Sequence, residues 1–219
     1  MSFLSLVRSI TVWPIAGLVI LLTSPYNLLG GSQLQEMTPG GAPLLVYTPD
    51  SDHPGKQHPL LVFLHGEEQA GNDMRLLTGR SAPDFPAKLI AAGRWDKSLP
   101  FIVVTPHLAK PLRGTPAWSA ASVNEIVEFV QRKYNVDASR IYLTGVSIGA
   151  TACWKYATTF PAKVAAIIPV SGPADKNAAP MKDIPVWAFH GENDHLYLRS
   201  TVEAINSIKN SKGKFVPRL

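Results

Sequence analysis

Short, continuous apolar runs recur along the chain, separated by stretches in which apolar residues return every three or four positions. The runs are Pro43–Pro49, Leu60–Leu64, Phe101–Thr105, Ile141–Thr144, Ala165–Gly172 and Pro185–Gly191. Runs of this length with little alternation fit strands covered on both faces. Pro169 is awkward inside its run, because a proline offers no N–H to a sheet ladder. The spacing between runs predicts helices over Pro86–Ala92, Ser122–Tyr134, from near Ile148 to about Thr159, and over Leu198–Lys209. In the second of these, Val123, Ile126, Val127 and Val130 share one face, and Ser122 with Glu125 reads as a capping box. Asp50–Pro59 is a polar connection carrying His53 and His58, both expected to face solvent. Strands alternating with helices predict an α/β fold, a doubly wound and mostly parallel sheet with helices on both faces.

Composition changes this picture little. The chain has 219 residues, 46% hydrophobic and 17% charged, enough for one sizeable core plus an appendage. Its formal charge of +5 is scattered, so no clustered basic face points to nucleic acid. The single cysteine, Cys153, excludes an internal disulfide and a multi-cysteine metal site. It reads as a small buried residue of the helix after Ile148.

Residues 1–35 carry one charged side chain, Arg8, ahead of the apolar run Ile10–Leu22 and a Pro/Asn/Gly/Ser stretch. That order describes a secretory signal peptide, and the run is short for a membrane span. The expectation is export, secreted or periplasmic, with an uncleaved N-terminal membrane anchor as the alternative. The domain would then occupy residues 36–219.

The chemistry is concentrated in Gly145-Val146-Ser147-Ile148-Gly149, which follows a predicted strand and opens a predicted helix. The pentapeptide alone would arise by chance in roughly one chain in fifteen of this length. Its flanks supply the context of a nucleophile elbow, in which two glycines make room for a sharp bend that lifts the serine hydroxyl above the sheet. The N–H of Ile148 and the positive end of the following helix could receive an oxyanion. A second donor is expected from the loop after Leu64, the N–H of Glu67 or Glu68, with His65 structural. Ligands of such sheets sit at the carboxyl ends of the strands, an edge that collects Gly66, His107, Ser147, Ser171 and Asp194. Asp194, in His190-Gly191-Glu192-Asn193-Asp194, is the candidate acid that would orient a histidine, with Asp175 as its rival.

With these residues in hand, the chain resembles α/β-hydrolases of the esterase, phospholipase/carboxylesterase and "predicted peptidase" group, related to dienelactone hydrolase and polyhydroxybutyrate-depolymerase-like esterases. The resemblance runs from about Pro43 to Lys214. It rests on Phe63-Leu64-His65-Gly66 with Gly71-Asn72-Asp73, on Phe101–Pro106, on Val136–Ser147, on Phe160-Pro161, on Pro169–Gly172 and on Ile184–Gly191. It implies a serine nucleophile at Ser147, a charge-relay acid at Asp194, a small-molecule acyl-ester substrate and a pocket lined by Trp118. It implies no metal or organic cofactor. His107, at a strand end on the same edge, is the histidine best placed to face the pocket or stand in as a base.

Two departures from the family pattern qualify the expectation. Glu68 replaces a glycine beside the expected oxyanion site. No histidine follows His195, whereas in this fold the base lies on a loop after the last strand; the reading therefore expects the last strand and helix to be missing. His195 adjoins Asp194 in sequence, a poor arrangement for holding an imidazole between acid and serine. The function expected is cleavage of carboxylic esters through an acyl-enzyme on Ser147. Peptidase-like amide cleavage and a catalytically silent hydrolase fold are the alternatives.

Overall fold

The computed structural model describes residues 34–49, 55–109 and 118–214. Most of the leader, His53 and Phe215–Leu219 lie outside them. No helix among the described residues is long and apolar enough to cross a membrane.

Among the described residues six strands form one sheet: β1 (Leu34–Met37), β2 (Leu44–Tyr47), β3 (His58–Leu64), β4 (Ile102–Pro106), β5 (Val136–Val146) and β6 (Ala166–Val170), in the order β1-β2-β4-β3-β5-β6. The β1–β2 and β2–β4 pairs are antiparallel, and the β4–β3, β3–β5 and β5–β6 pairs are parallel. The described residues also form the α-helices α1 (Arg75–Thr78), α2 (Pro86–Ala91), α3 (Ala120–Lys133), α4 (Ile148–Thr159) and α5 (His195–Asn210).

Strand residues alternate between two apolar layers, as the two-residue period of a strand requires. Leu44, Val46, Leu60, Val62, Leu64, Ile102 and Val104 join the main core with residues of α3, α4 and α5. Leu45 packs with Leu77 of α1 and Ala87 of α2, and Tyr47 and Val103 pack with Ile90 of α2. Both faces are thus covered, so the strands read as unbroken apolar runs.

Several boundaries move. β1 does not announce itself in the sequence, because Gln35 and Glu36 are exposed on an outer strand. β5 begins at Val136, before its apolar stretch, and exposes Ala138, Ser139 and Arg140. α3 starts one turn earlier than predicted. Its cap is Ser119, whose Oγ accepts from Ser122 N–H at 2.9 Å while Ser122 Oγ accepts from Ser119 N–H at 3.2 Å, replacing the expected Ser122–Glu125 box. His58 is buried, contrary to the solvent-facing expectation. β3 starts there, pairs it with Val136, and brings its Nδ1 within 2.9 Å of the Pro100 carbonyl.

Pro169 does lie inside β6, and its cost is visible. Ile167 bonds Pro185 O and Trp187 N–H, and Pro169 O and Ser171 N–H bond Phe189. In that parallel register the Trp187 carbonyl should receive the N–H of residue 169, which proline lacks. The predicted strand over 185–191 is accordingly reduced to bridges at Val186 and Phe189.

Candidate active site

The chain passes from β3 leftward to β4 and then rightward to β5, so the order of the sheet reverses between β3 and β5. Ligands of open α/β sheets bind at the carboxyl ends of the strands beside such a reversal. Leu64 and Gly145 are in register there, and three residues beyond them stand Glu67 and Ile148.

Ser147 joins β5 to α4 at φ 56°, ψ −119°. A non-glycine residue in such a region costs of order 1–3 kcal/mol and persists only when its surroundings leave no alternative. Here they leave none. A Cβ on Gly149 would fall 2.0 Å from the Leu64 carbonyl oxygen, one on Gly145 2.6 Å from the same atom, and one on Gly172 2.2 Å from the Ser147 carbonyl oxygen. Ser147 N–H donates to Val170 O at 2.9 Å, tying the bend to β6. The side chain is half-buried. α4 begins at Ile148, whose N–H is one of the donors a helix start leaves without an internal partner. Among the described residues neither Ile148 N–H nor Glu67 N–H makes a hydrogen bond.

Asp194 immediately precedes α5 without a side-chain capping hydrogen bond, and is partly exposed. His190 Nδ1–H donates to its Oδ2 at 3.0 Å, and His190 Nε2 meets Thr201 Oγ1 at 2.9 Å. The His190 bond is the main reason the Asp194 carboxyl is held below the usual carboxylate range; Tyr197 N–H and the Ser171 hydroxyl add to it, against partial desolvation. Ser171, at the end of β6, also has positive φ, 47°. Two of the three non-glycine residues with positive φ among the described residues thus lie at the carboxyl ends of neighbouring strands. In the sequence His190 stands out only as part of the stretch leading to Asp194, with no role of its own; its position four residues before that carboxylate was the signal.

The two residues expected at the pocket wall are both buried. Trp118 Nε1–H donates to the His65 carbonyl at 3.3 Å, and its ring stands edge-on to the His65 imidazole at 5.3 Å. His107 Nε2–H donates to the Gln69 carbonyl at 2.8 Å. His65, also buried, is bonded at both nitrogens, to Gly66 O and Leu108 N–H. His195 is exposed at the start of α5. Among the described residues no imidazole is hydrogen-bonded to Ser147. Nor do three His, Cys, Asp or Glu side chains come together there as a metal would need. Cys153 is buried in α4, and burial pushes its thiol far up.

The strained Ser147 bend and two amide N–H groups without hydrogen bonds among the described residues, those of Ile148 and Glu67, thus follow the carboxyl ends of the neighbouring strands β5 and β3, with the Asp194 carboxylate beyond the end of the next ladder. The family model that matches the chain is Esterase, over residues 37–214. The chain is 28% identical over 185 residues to the bifunctional acetylxylan esterase/xylanase of Neocallimastix patriciarum, covering 80% of this chain and 24% of that protein. Among solved structures, a thermostable esterase superposes with a TM-score of 0.67 at 25% identity, covering 85% of this chain and 53% of that one. A ferulic acid esterase superposes with a TM-score of 0.58 at 18% identity, covering 84% and 87%. The chain therefore spans about a quarter of the curated relative and about half of the thermostable esterase.

Proposed function

The chain belongs to the Esterase family of the α/β-hydrolase superfamily, and from that premise we propose that it cleaves carboxylic esters through an acyl-enzyme on Ser147. In this reading Oγ bonds to the acyl carbon, the N–H groups of Ile148 and Glu67 hold the oxyanion, and the carbon–oxygen bond to the alcohol then breaks, the alcohol leaving with the proton that Oγ gives up. Asp194 is the acid of the site. Water then releases the carboxylic acid. The observation that carries the reading is the backbone of Ser147, held in a costly conformation between two glycines that cannot be enlarged. An idle serine at a strand-to-helix turn has no need of that strain. The relative's name makes acetyl esters of a polysaccharide the first natural substrate class to try.

The test is covalent capture by a fluorophosphonate, followed by hydrolysis of p-nitrophenyl acetate. Labelling that disappears in Ser147→Ala, with the variant still folded, is the expected result. Folded wild-type protein that takes no label would overturn the acyl-enzyme reading and leave a hydrolase fold without its chemistry.

A further inference from the structure

The loop from Gly66 to Gly71 holds Glu67 in a single 3-10 turn, Glu67–Gln69. A turn of that length has little internal support, since its bonds are Gln69 N–H to Gly66 O at 3.3 Å and Ala70 N–H to Glu67 O at 3.0 Å. The remaining support comes from imidazoles and from the strand end after β4. Gly66 O accepts His65 Nδ1–H at 2.7 Å, and His65 Nε2 accepts Leu108 N–H at 3.0 Å. Leu108 O accepts Gly71 N–H at 2.9 Å, and Gln69 O accepts His107 Nε2–H at 2.8 Å. The carbonyls on both sides of Glu67 are thus gripped by ring N–H groups.

The His107 ring is the informative one. It is buried, and its Nδ1 has no partner among the described residues. Burying an unused polar nitrogen is unfavourable, and a phenyl ring would fill the space without that penalty. What a phenyl ring could not do is donate to Gln69 O. His65 meanwhile must be neutral to accept from Leu108 N–H, and burial lowers it to about 4, so the arrangement persists at ordinary pH.

We propose that His107, working with His65, is a positioning residue that fixes the Glu67 N–H at the place where the acyl oxygen develops charge. The proposal rests on the reading of Ser147 as nucleophile. It assigns His107 no contact with substrate and no proton transfer.

The experiment compares wild type with His107→Phe, which keeps ring shape and loses the donor, and His107→Gln, whose amide nitrogen reaches the position of Nε2. Two measurements are made on the full chain: hydrogen exchange of residues 66–71, and kcat and KM for p-nitrophenyl acetate. His107→Phe is expected to raise exchange in that segment alone and to lower kcat by about 100-fold, with KM little changed, as misplacement of a transition-state donor does. His107→Gln should restore both to near wild type. Should His107→Phe not fold, His107→Asn, whose amide reaches only the Nδ1 position, supplies the same contrast with His107→Gln. Unchanged loop exchange in the donor-less variant, or a glutamine variant as impaired as it, overturns the clamp. If wild type shows neither labelling nor turnover, the acyl-enzyme reading falls, and loop exchange alone still decides whether the clamp exists.

Discussion

The serine side and the acid side of the site are built in opposite ways. At the serine side the backbone is over-determined. Gly145, Gly149 and Gly172 each lie against a main-chain atom, and the bend cannot relax without moving β3. At the acid side the sheet is loosening. Pro169 breaks the ladder beside it, residues 186 and 189 hold by single bridges, and Trp187 and Phe189 stand half out of the protein. A groove of about 280 Å³ runs along that edge between Trp187, Phe189, His190, Glu192 and Leu198. Asp194 is positioned there by side chains instead, chiefly His190, itself bonded to Thr201. Steric crowding fixes Ser147, whereas hydrogen bonding fixes the Asp194 carboxylate, so the two halves should fail under different insults.

The largest effect should come from enlarging the crowded side. Gly149→Ala would put a methyl group against the Leu64 carbonyl, and we expect a loss of at least ~3 kcal/mol, or no soluble protein, by denaturant unfolding. A melting temperature within a degree of wild type would show that the bend is less constrained than its contacts imply.

Acid should come next, through the buried imidazole behind the serine's neighbouring loop. His65 has a folded pKa of about 4 against 6.5 for the free side chain, so between these values the unfolded chain binds the extra proton. Stability is therefore full above about pH 6.5 and falls as pH drops towards 4, by up to ~3 kcal/mol at 1.36 kcal/mol per unit. Urea midpoints of wild type and His65→Gln over this range check it; the variant should lose much of the slope.

On the acid side, His190→Leu removes the ring that bonds both the Asp194 carboxylate and Thr201 Oγ1, and should lower the melting temperature by less than the glycine substitution does. It should also let the Asp194 carboxyl titrate upward, since the His190 bond is the main cause of its depression. Carboxyl-carbon NMR titration would show no upward movement if other donors hold Asp194.

Ser147→Gly should work in the other direction, relieving the positive φ and raising stability by roughly 1 kcal/mol while abolishing labelling. The smallest effect is expected at the open edge. Trp187→Ser, at a side chain about 50% exposed, should change folding stability by under ~0.5 kcal/mol.

Much of this organisation was legible in the residues themselves. The alternation of apolar runs with helical spacing implied the wound sheet, because both sheet faces must be covered and strands covered twice lose their polar positions. Gly-x-Ser-x-Gly marked the bend, since only glycine fits where two backbones nearly touch. β1 was hidden by its exposed Gln35 and Glu36, and α3 by a cap one turn upstream of the apparent one. His58 looked like a loop residue because it precedes the apolar run, yet pairing with β5 draws it inside.

The sequence by itself determined where the bend at Ser147 falls and which strands run up to it, because periodicity and glycine placement are local properties. Only the tertiary structure decided what each imidazole is bonded to: His190 to Asp194, His107 to Gln69, His65 to a strand end forty-three residues away. Those partnerships depend on segments distant in sequence being brought to one sheet edge, and a side chain's hydrogen-bond partner is set by that meeting, not by its neighbours along the chain.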